Sequence, residues 1–425
     1  MTKKVFNFLN RVTRIKAKGA LRWLYPGIGI KRWIGLSSFG VLMIIIGSLR
    51  LRSEEYAVIQ ILDAVILFSG VIILVLGIKH TVRFFINLLM PSAKGIELVD
   101  ILYQKKQLSR GPKIVVVGGG TGLSVLLTGL KEYTYNLTAI VTVADDGGSS
   151  GRLRQQFDIL PPGDIRNCLV ALADAPALMR DLFQFRFDKE SEMAGHSFGN
   201  LFITVMTRLT GDFEKAVKET SRVLALRGQV IPSTLNKMIL MAQHKDGTVT
   251  EGENQIPKAH CPISKVYLKS GQAQATPEAI KAIEEAQIIV LGPGSLYTSI
   301  IPNLLIKEIT DAIVASHAIK VYVCNIMTQY GETDGFSVSD HIKALVAHSH
   351  PRIVDYCLIN TGGDISREML KRYEEENAYL VANDAEKVTK MGYRVIEDDT
   401  LSVSGVIRHN PEKLAEIILG FIEEI

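Results

Sequence analysis

The chain has 425 residues, of which 47% are apolar, with a formal net charge of +4 and a mean hydropathy of +0.19. Residues 1–110 carry a net charge of +12 and the remainder a net charge of −8. The acidic body argues against a nucleic-acid-binding protein, which needs a basic surface, and the composition excludes intrinsic disorder, collagen and coiled coil.

Two apolar runs near the N-terminus predict membrane-spanning helices. Residues 33–49 contain no charge, and residues 57–78 contain only Asp63. A spanning helix needs about 20 apolar residues, with about 17 as the lower limit, so the second run qualifies and the first is marginal. One spanning helix and one buried segment is the alternative. Basic residues before and after the hairpin place both of its ends in the cytoplasm.

These runs divide the chain into four predicted segments. Residues 1–32 form a basic segment, either an interfacial helix on anionic lipid or a disordered tail. Residues 33–80 form a two-helix transmembrane hairpin, residues 81–112 a linker and residues 113–425 the main domain. The predicted location is therefore the membrane, with the N-terminus and the main domain in the cytoplasm.

Strands and helices alternate in the main domain. The four cysteines are isolated, which fits a reduced cytoplasmic body without disulfides or structural zinc. Near-continuous apolar strands between helices predict an α/β fold with a parallel sheet covered on both faces. The predicted strands are residues 113–117, 137–143, 287–291, 320–324 and 354–359. We further predict helices within 163–226, antiparallel strands within 238–269 and a final helix over 411–424.

The first candidate binding motif is a glycine turn after the first strand, formed by Gly118, Gly119, Gly120, Thr121 and Gly122. Glycines let the backbone approach a phosphate, which N–H groups at a helix N-terminus bind. The turn lacks the Gly-Lys-Ser/Thr of a P-loop and the last glycine of a dinucleotide fingerprint. The incomplete fingerprint counts against an NAD-dependent oxidoreductase, and a glycine turn without a ligand is the alternative.

The second motif is an acidic loop after the second predicted strand. Asp145 and Asp146 are candidates to hold Mg²⁺, a ribose hydroxyl or a substrate amine. Ser149 and Ser150 offer donors, and Arg152 is a candidate phosphate ligand. A turn whose aspartates cap local N–H groups is the alternative. The run of eight small or acidic residues exceeds what a turn needs, and we therefore favour a functional site.

Later motifs add further candidates. Asp164 is predicted to cap its own helix, and Asn200 precedes an apolar helix. A second strand–glycine–helix turn contributes a set of five candidates, namely Gly292, Gly294, Ser295, Tyr297 and Thr298. Two glycine turns in one open α/β sheet predict a ligand at the strand carboxyl ends, where the strand order reverses.

Together these motifs resemble the YvcK/CofD-like family, in particular its YvcK branch, the gluconeogenesis factors. The resemblance covers residues 113–425 and does not cover the hairpin. It is carried by GGGTG (Gly118–Gly122), VTVADDGGSSGRLR (Val141–Arg154), PPGDIRNCL (Pro161–Leu169), HSFGN (His196–Asn200), GPGSLYTSIIPNL (Gly292–Leu304) and NIMTQYGETDGF (Asn325–Phe336).

The resemblance implies a Rossmann-like, doubly wound core that binds UDP-sugars such as UDP-N-acetylglucosamine. It also implies a role in carbon partition between metabolism and the cell envelope, and in cell shape. The glycine loop would hold the diphosphate, and Asp145 and Asp146 would lie beside the sugar or ribose or hold a metal. Tyr297 would contact uracil, and Ser295 and Thr298 would add donors.

The CofD branch implies an alternative, a Mg²⁺-dependent transferase of phospholactate from a guanosine-linked donor. The acidic stretch of this chain differs from the transferase-like acidic and aromatic run, which favours a regulatory binding protein. Mg²⁺ is therefore only a candidate cofactor. The expected partners are the nucleotide sugar, the membrane, an envelope-precursor or carbon-metabolism enzyme, and a second copy in a homodimer.

Overall fold

The computed structural model describes residues 30–51, 56–89, 105–188, 190–269, 271–403 and 405–424. The chain divides into two compact units, Met1–Lys105 and Lys106–Ile425. We call the described part of the first unit the hairpin and the second unit the body.

The hairpin consists of two helices, α1 (Ile30–Leu51) and α2 (Ala57–Leu89), both long and apolar enough to cross a membrane. The helices approach closely at glycines: a Cβ added at Gly40 would lie 2.7 Å from the backbone nitrogen of Leu74. Large apolar side chains point outward instead, and Phe68 is 69% exposed. The hairpin thus buries small residues and exposes large apolar ones, the arrangement of membrane helix pairs.

The second helix is longer than the apolar run predicted. It continues to Leu89, past the expected boundary at residue 80, because apolar residues persist after Lys79 and Arg83. The Thr81 hydroxyl donates to the carbonyl of Gly77, which adds a side-chain hydrogen bond to the helix at that turn. The predicted interfacial helix and residues 90–104 of the predicted linker lie outside the described residues.

Among its described residues, the body begins with helical residues 106–108 and then contains twelve strands and thirteen α-helices. The strands are β1 (Ile114–Gly118), β2 (Leu137–Val141), β3 (Gln229–Pro232), β4 (Leu240–His244), β5 (Val249–Glu251), β6 (Ile263–Leu268), β7 (Ile288–Leu291), β8 (Ile319–Val323), β9 (Tyr356–Asn360), β10 (Arg394–Asp398), β11 (Leu401–Val403) and β12 (Ile407–His409).

The helices before β7 are α3 (Gly120–Leu130), α4 (Gly148–Phe157), α5 (Gly163–Leu172), α6 (Ala177–Gln184), α7 (Phe198–Thr210), α8 (Phe213–Val223) and α9 (Pro277–Glu285). After β7, a π-helical turn (Leu296–Ile300) leads into α10 (Ile301–Leu304). The later helices are α11 (Lys307–Ala315), α12 (Val338–Ala347), α13 (Arg367–Glu375), α14 (Ala385–Lys390) and α15 (Pro411–Gly420).

Seven strands form one sheet in the order β10-β9-β8-β7-β1-β2-β3, and all six pairings are parallel. The predicted α/β fold with a doubly wound sheet is therefore confirmed. From β1 the chain moves to β2 and β3 on one side, and from β7 it moves to β8, β9 and β10 on the other. The strand order thus reverses between β1 and β7, which is where open α/β sheets form a ligand crevice.

The core of the body lies on this sheet. Every residue of β1, β2 and β7 is buried, as expected for central parallel strands with helices on both faces. The predicted antiparallel strands are also found, because β4 pairs with β5 and with β6 in a separate three-stranded sheet. The outer strands β3 and β10 were not predicted from the sequence; β10 reads RVIED and lacks a continuous apolar run.

Candidate functional site

The two glycine turns meet at the reversal between β1 and β7. Gly120, in the first turn, has a φ of +67°, a left-handed conformation that favours glycine. A Cβ added at Gly122 would lie 2.7 Å from the carbonyl oxygen of Pro293, so the two turns are in close contact. The structure therefore brings the two glycine turns together at the N-terminus of α3.

Side chains after β8 fix the second turn. The Asn325 amide donates to the Gly294 carbonyl over 2.8 Å, and its oxygen accepts from the Gly294 N–H over 3.3 Å. The Ser295 hydroxyl donates to Gln329 over 2.7 Å. The NIMTQYGETDGF stretch thus positions the glycine turn, which explains why these motifs lie at neighbouring strand ends.

A cavity of about 280 Å³ opens between the two turns. Of the residues proposed from the sequence, Gly120, Thr121, Gly122, Gly294 and Ser295 line it. Gly118 and Gly292 lie at the ends of β1 and β7, and Gly119 is the N-cap of α3. The two turns that were predicted to bind phosphate therefore line a cavity. The backbone N–H groups at the start of α3 lie beside it.

Four lining residues come from distant sequence and were not predicted: Tyr373, Ile407, Arg408 and His409. The Arg408 side chain is exposed and has no hydrogen bond or ion pair with any described residue. The Tyr373 hydroxyl accepts from the N–H of Ile407 over 2.8 Å, which ties α13 to the strand that carries Arg408. An unpaired guanidinium beside two glycine turns is suited to binding phosphate.

His409 has a structural role in the wall of the cavity. Its Nδ1 lies 2.8 Å from the Thr400 hydroxyl, and its Nε2 lies 3.1 Å from the carbonyl oxygen of Cys324. These partners place the proton on Nε2, which donates to the carbonyl. Burial lowers the pKa of His409 to about 4, so the ring is neutral at physiological pH and holds the end of β8 to β12.

The two adjacent aspartates point in different directions. Asp145 accepts from the Gly147 N–H over 2.9 Å and from the Ser150 hydroxyl. Asp146 instead accepts from the backbone N–H of Asn254 over 2.9 Å. Among the described residues no group of three or more His, Cys, Asp or Glu side chains is arranged to hold a metal ion. The two carboxylates thus have separate backbone partners, and binding of Mg²⁺ by this pair stays a prediction.

Two motifs, the acidic loop and His196–Asn200, converge in a buried polar network next to Asp145. The Asn200 amide lies 3.1 Å from the Ser149 hydroxyl and 3.4 Å from the Ser150 hydroxyl. Ser149 is also 3.2 Å from Nδ1 of His196. None of these residues lines the cavity at the glycine turns. The proximity of these side chains was not predicted. Their hydrogen bonds hold the acidic loop against the start of α7.

Arg152 is part of the same support. Its guanidinium donates to the Ala194 carbonyl over 2.8 Å and so joins α4 to the segment before α7. Arg152 does not line the cavity at the glycine turns, and its contact with a phosphate stays a prediction.

Carboxyl groups of unusual pKa lie behind the first glycine turn. The sequence predicts that Asp164 caps its own helix. Its carboxylate instead accepts a hydrogen bond from the N–H of Gly120. Burial, followed by repulsion from Asp145, raises the pKa of Asp164 to about 7. Burial and repulsion from Asp145 and Asp164 raise the pKa of Glu253 to about 8. Glu253 was not predicted, because its motif carries no signal beyond a single acid in a loop.

Two residues predicted to contact the ligand are buried, and their contact with a ligand stays a prediction. Tyr297 is only 3% exposed, and its ring packs edge-on against Phe336 and His348 with centroids 6.2 and 5.7 Å away. The Thr298 hydroxyl is buried and donates to Glu332 over 3.0 Å. The π-helical turn that follows Ser295 directs both side chains into the core, which the motif alone does not reveal.

Comparison with known proteins agrees with this architecture. Residues 114–401 match the family model described as 2-phospho-L-lactate transferase CofD. The gluconeogenesis factor of Bacillus subtilis is 48% identical over 318 residues, which cover 75% of this chain and 100% of that protein. A crystal structure of a Bacillus halodurans protein has a TM-score of 0.71 at 48% identity, covering 73% of this chain and 100% of that one.

A longer relative extends the match beyond the body. A protein of Nostoc sp. is 48% identical over 419 residues, covering 94% of this chain and 91% of the relative. The glycine turns at the strand reversal, the matched family model and these relatives together show that the chain belongs to the CofD/YvcK family, among its gluconeogenesis-factor homologues.

Proposed function

We propose that the protein is a membrane-tethered regulator that binds a UDP-sugar of the UDP-N-acetylglucosamine type. The observation that carries the proposal is the cavity at the strand reversal, with glycine turns on two sides and the unpaired Arg408 at its wall. Helix-start N–H groups and a guanidinium are the groups that bind a diphosphate. The remaining parts of the ligand would be held by hydrogen bonds and stacking, for which Tyr373 is available.

The regulatory part of the proposal concerns carbon partition, envelope synthesis and cell shape. The Bacillus subtilis and Listeria relatives are named gluconeogenesis factors, which supports the part of this role that concerns carbon metabolism. Binding of the sugar would be reported to an envelope-precursor or carbon-metabolism enzyme. A homodimer is compatible with this function.

The membrane part of the proposal is supported by the hairpin. Its two helices are apolar on their outer faces, which in water would expose a large hydrophobic surface. The basic residues flanking them favour a cytoplasmic position for both ends and for the body. The tether would keep the sugar sensor beside the site of envelope synthesis.

Calorimetric titration of the full chain in detergent micelles tests the ligand. UDP-N-acetylglucosamine and UDP-glucose should bind, and NAD and GDP should bind weakly or not at all. Replacing Arg408 by Ala should lower the affinity for UDP-sugar about tenfold to a hundredfold, because a charged hydrogen bond contributes about 1.5–3 kcal/mol. Arg408→Lys should retain part of the affinity, since the charge remains but the bidentate geometry is lost.

Arg367→Ala is a matched control, because Arg367 is an exposed arginine at the start of the neighbouring helix α13 and does not line the cavity. Equal affinity of the Arg408→Ala variant and the wild type would remove the diphosphate from this cavity. Failure of the wild type to bind any UDP-sugar would contradict the proposed function itself.

The alternative function is a transferase of the CofD type, for which the family match over residues 114–401 is the supporting observation. Turnover distinguishes the two functions, whereas binding does not. A phosphate-containing product formed from a guanosine-linked donor, with or without added Mg²⁺, would establish the transferase. Asp145→Asn should then abolish turnover and leave ligand affinity intact.

A further inference from the structure

A second cavity of about 730 Å³ adjoins the first, at the carboxyl ends of β8 and β9. Asn325 and Ile326 line both cavities, so a molecule held at the glycine turns can extend from one into the other. Neighbouring strands lie about 5 Å apart, which makes the step from β7 to β9 roughly 10 Å. A diphosphate followed by one sugar ring suits such a span.

The first cavity is small for a nucleotide sugar. Its volume of about 280 Å³ lies at the lower end of the roughly 300–1,000 Å³ typical of pockets that enclose a small-molecule ligand. A ligand whose diphosphate lies at the glycine turns therefore has room for one of its ends in the adjoining cavity. The second cavity is the larger of the two spaces that share Asn325.

The two cavities differ in charge. Arg408 lines the first cavity, whereas the second is lined by Asp364 and Asp399 and, among the described residues, by no lysine or arginine. Carboxylates repel phosphate and accept hydrogen bonds from hydroxyl groups. The second cavity therefore suits an uncharged group rich in hydroxyls and does not suit a phosphate.

The loop after β9 supplies both donors and an acceptor. The backbone N–H groups of residues 362–365 donate to no acceptor in the described part of the chain. The Asp364 side chain is exposed and has no bonded partner among the same residues. Asn360 holds the loop, because its amide donates to the Gly362 carbonyl over 3.1 Å. Free N–H groups beside a free carboxylate match sugar hydroxyls, which both donate and accept.

The nucleobase fits the second cavity less well. Bases commonly stack on aromatic rings, and the ring that Tyr373 provides lies at the first cavity. The nonpolar lining of the second cavity is aliphatic throughout the described residues, with Ile359 and Leu380 among its walls.

We propose that the second cavity binds the glycosyl group of the nucleotide sugar and that Asp364 selects it by accepting a hydrogen bond from a sugar hydroxyl. This inference rests on the proposed function, since it needs the diphosphate at the glycine turns. It adds the position of the sugar and a residue that determines which sugar is accepted.

The test compares UDP with UDP-N-acetylglucosamine in calorimetric titrations of the full chain in detergent micelles. Asp364→Asn should lower the affinity for UDP-N-acetylglucosamine about tenfold and leave the affinity for UDP unchanged. Leu380→Trp, which fills the cavity from its opposite wall, should have the same selective effect. Asp311→Asn on α11 and Leu178→Trp on α6 are matched controls, because both are exposed and neither lines the cavity.

The outcomes separate this inference from the proposed function. Absence of UDP binding by the wild type would refute both. UDP binding with equal losses for the two ligands in the variants would place the base in the second cavity and refute the inference alone. Unchanged affinities in both cavity variants would also refute it, and a loss confined to the UDP-sugar would support it.

Discussion

The hairpin and the body place glycine at close contacts for different purposes. In α1 and α2, glycines such as Gly40 and Gly70 let two helices touch while large apolar side chains point outward. In the body, Gly122 and Gly129 let turns and helices touch while large apolar side chains fill the core. Close glycine contacts therefore accompany an apolar outer surface in the hairpin and an apolar interior in the body.

The largest expected effect is a difference between the full chain and the body alone in how they distribute between the membrane and soluble fractions. The full chain should be found entirely in the membrane fraction, because the outer faces of α1 and α2 are apolar. A chain that begins at residue 106 should be soluble and should retain UDP-sugar affinity, since the relatives from Bacillus are matched over their whole length by about three quarters of this chain. Fractionation at low salt and after alkaline extraction measures this. Recovery of the full-length protein in the soluble fraction would contradict the proposed membrane insertion of the hairpin.

A smaller effect is expected from glycine replacements in each unit. A Cβ at Gly129 would overlap the carbonyl of Pro411, so Gly129→Val should separate α3 from α15 and destabilise the body by about 2–3 kcal/mol. Gly40→Val should weaken the pairing of α1 and α2 and leave the unfolding of the body unchanged. Thermal unfolding of the body and crosslinking between the hairpin helices provide the two measurements. A loss of body stability in the Gly40 variant would show that the units are not independent.

The third expected effect is a pH dependence of body stability. Burial and neighbouring carboxylates raise the pKa of Glu253 to about 8, above its ordinary value of 4.5. The folded state therefore holds a proton that the unfolded state releases, and the free energy of unfolding should fall as the pH rises from about 4.5 to about 8. Glu253→Gln should flatten this fall. Urea unfolding between pH 5 and pH 9 measures it, with Glu374→Gln on α13 as an exposed control. Parallel curves for the wild type and the Glu253 variant would contradict the assignment.

Much of the fold can be predicted from local sequence patterns. The two apolar runs appear as α1 and α2, and the short apolar strands that end in glycines or polar residues appear as β1, β2, β7 and β8. Each of these signals depends on neighbouring residues alone, through helical length or through the complete burial of a central parallel strand. The glycine turns are local for the same reason, since Gly120 takes a conformation that other residues rarely adopt.

The composition of the site is mostly not local. Arg408 follows β8 by more than 80 residues in the sequence. It reaches the glycine turns because its neighbour His409 is hydrogen-bonded to the Cys324 carbonyl at the end of β8, and Tyr373 reaches them because its hydroxyl is hydrogen-bonded to Ile407 of β12. Asp145 and Asp146 are adjacent in sequence, yet one faces Ser150 and the other Asn254.

Tyr297 stands in a motif that resembles a ligand loop, and a π-helical turn buries it. The two hairpin helices, the central strands and the glycine turns could be predicted from the sequence, because they follow from local backbone conformation and burial pattern. The outer strands and the side chains that face the cavity could not, because they depend on which distant strands and helices pack around the strand reversal.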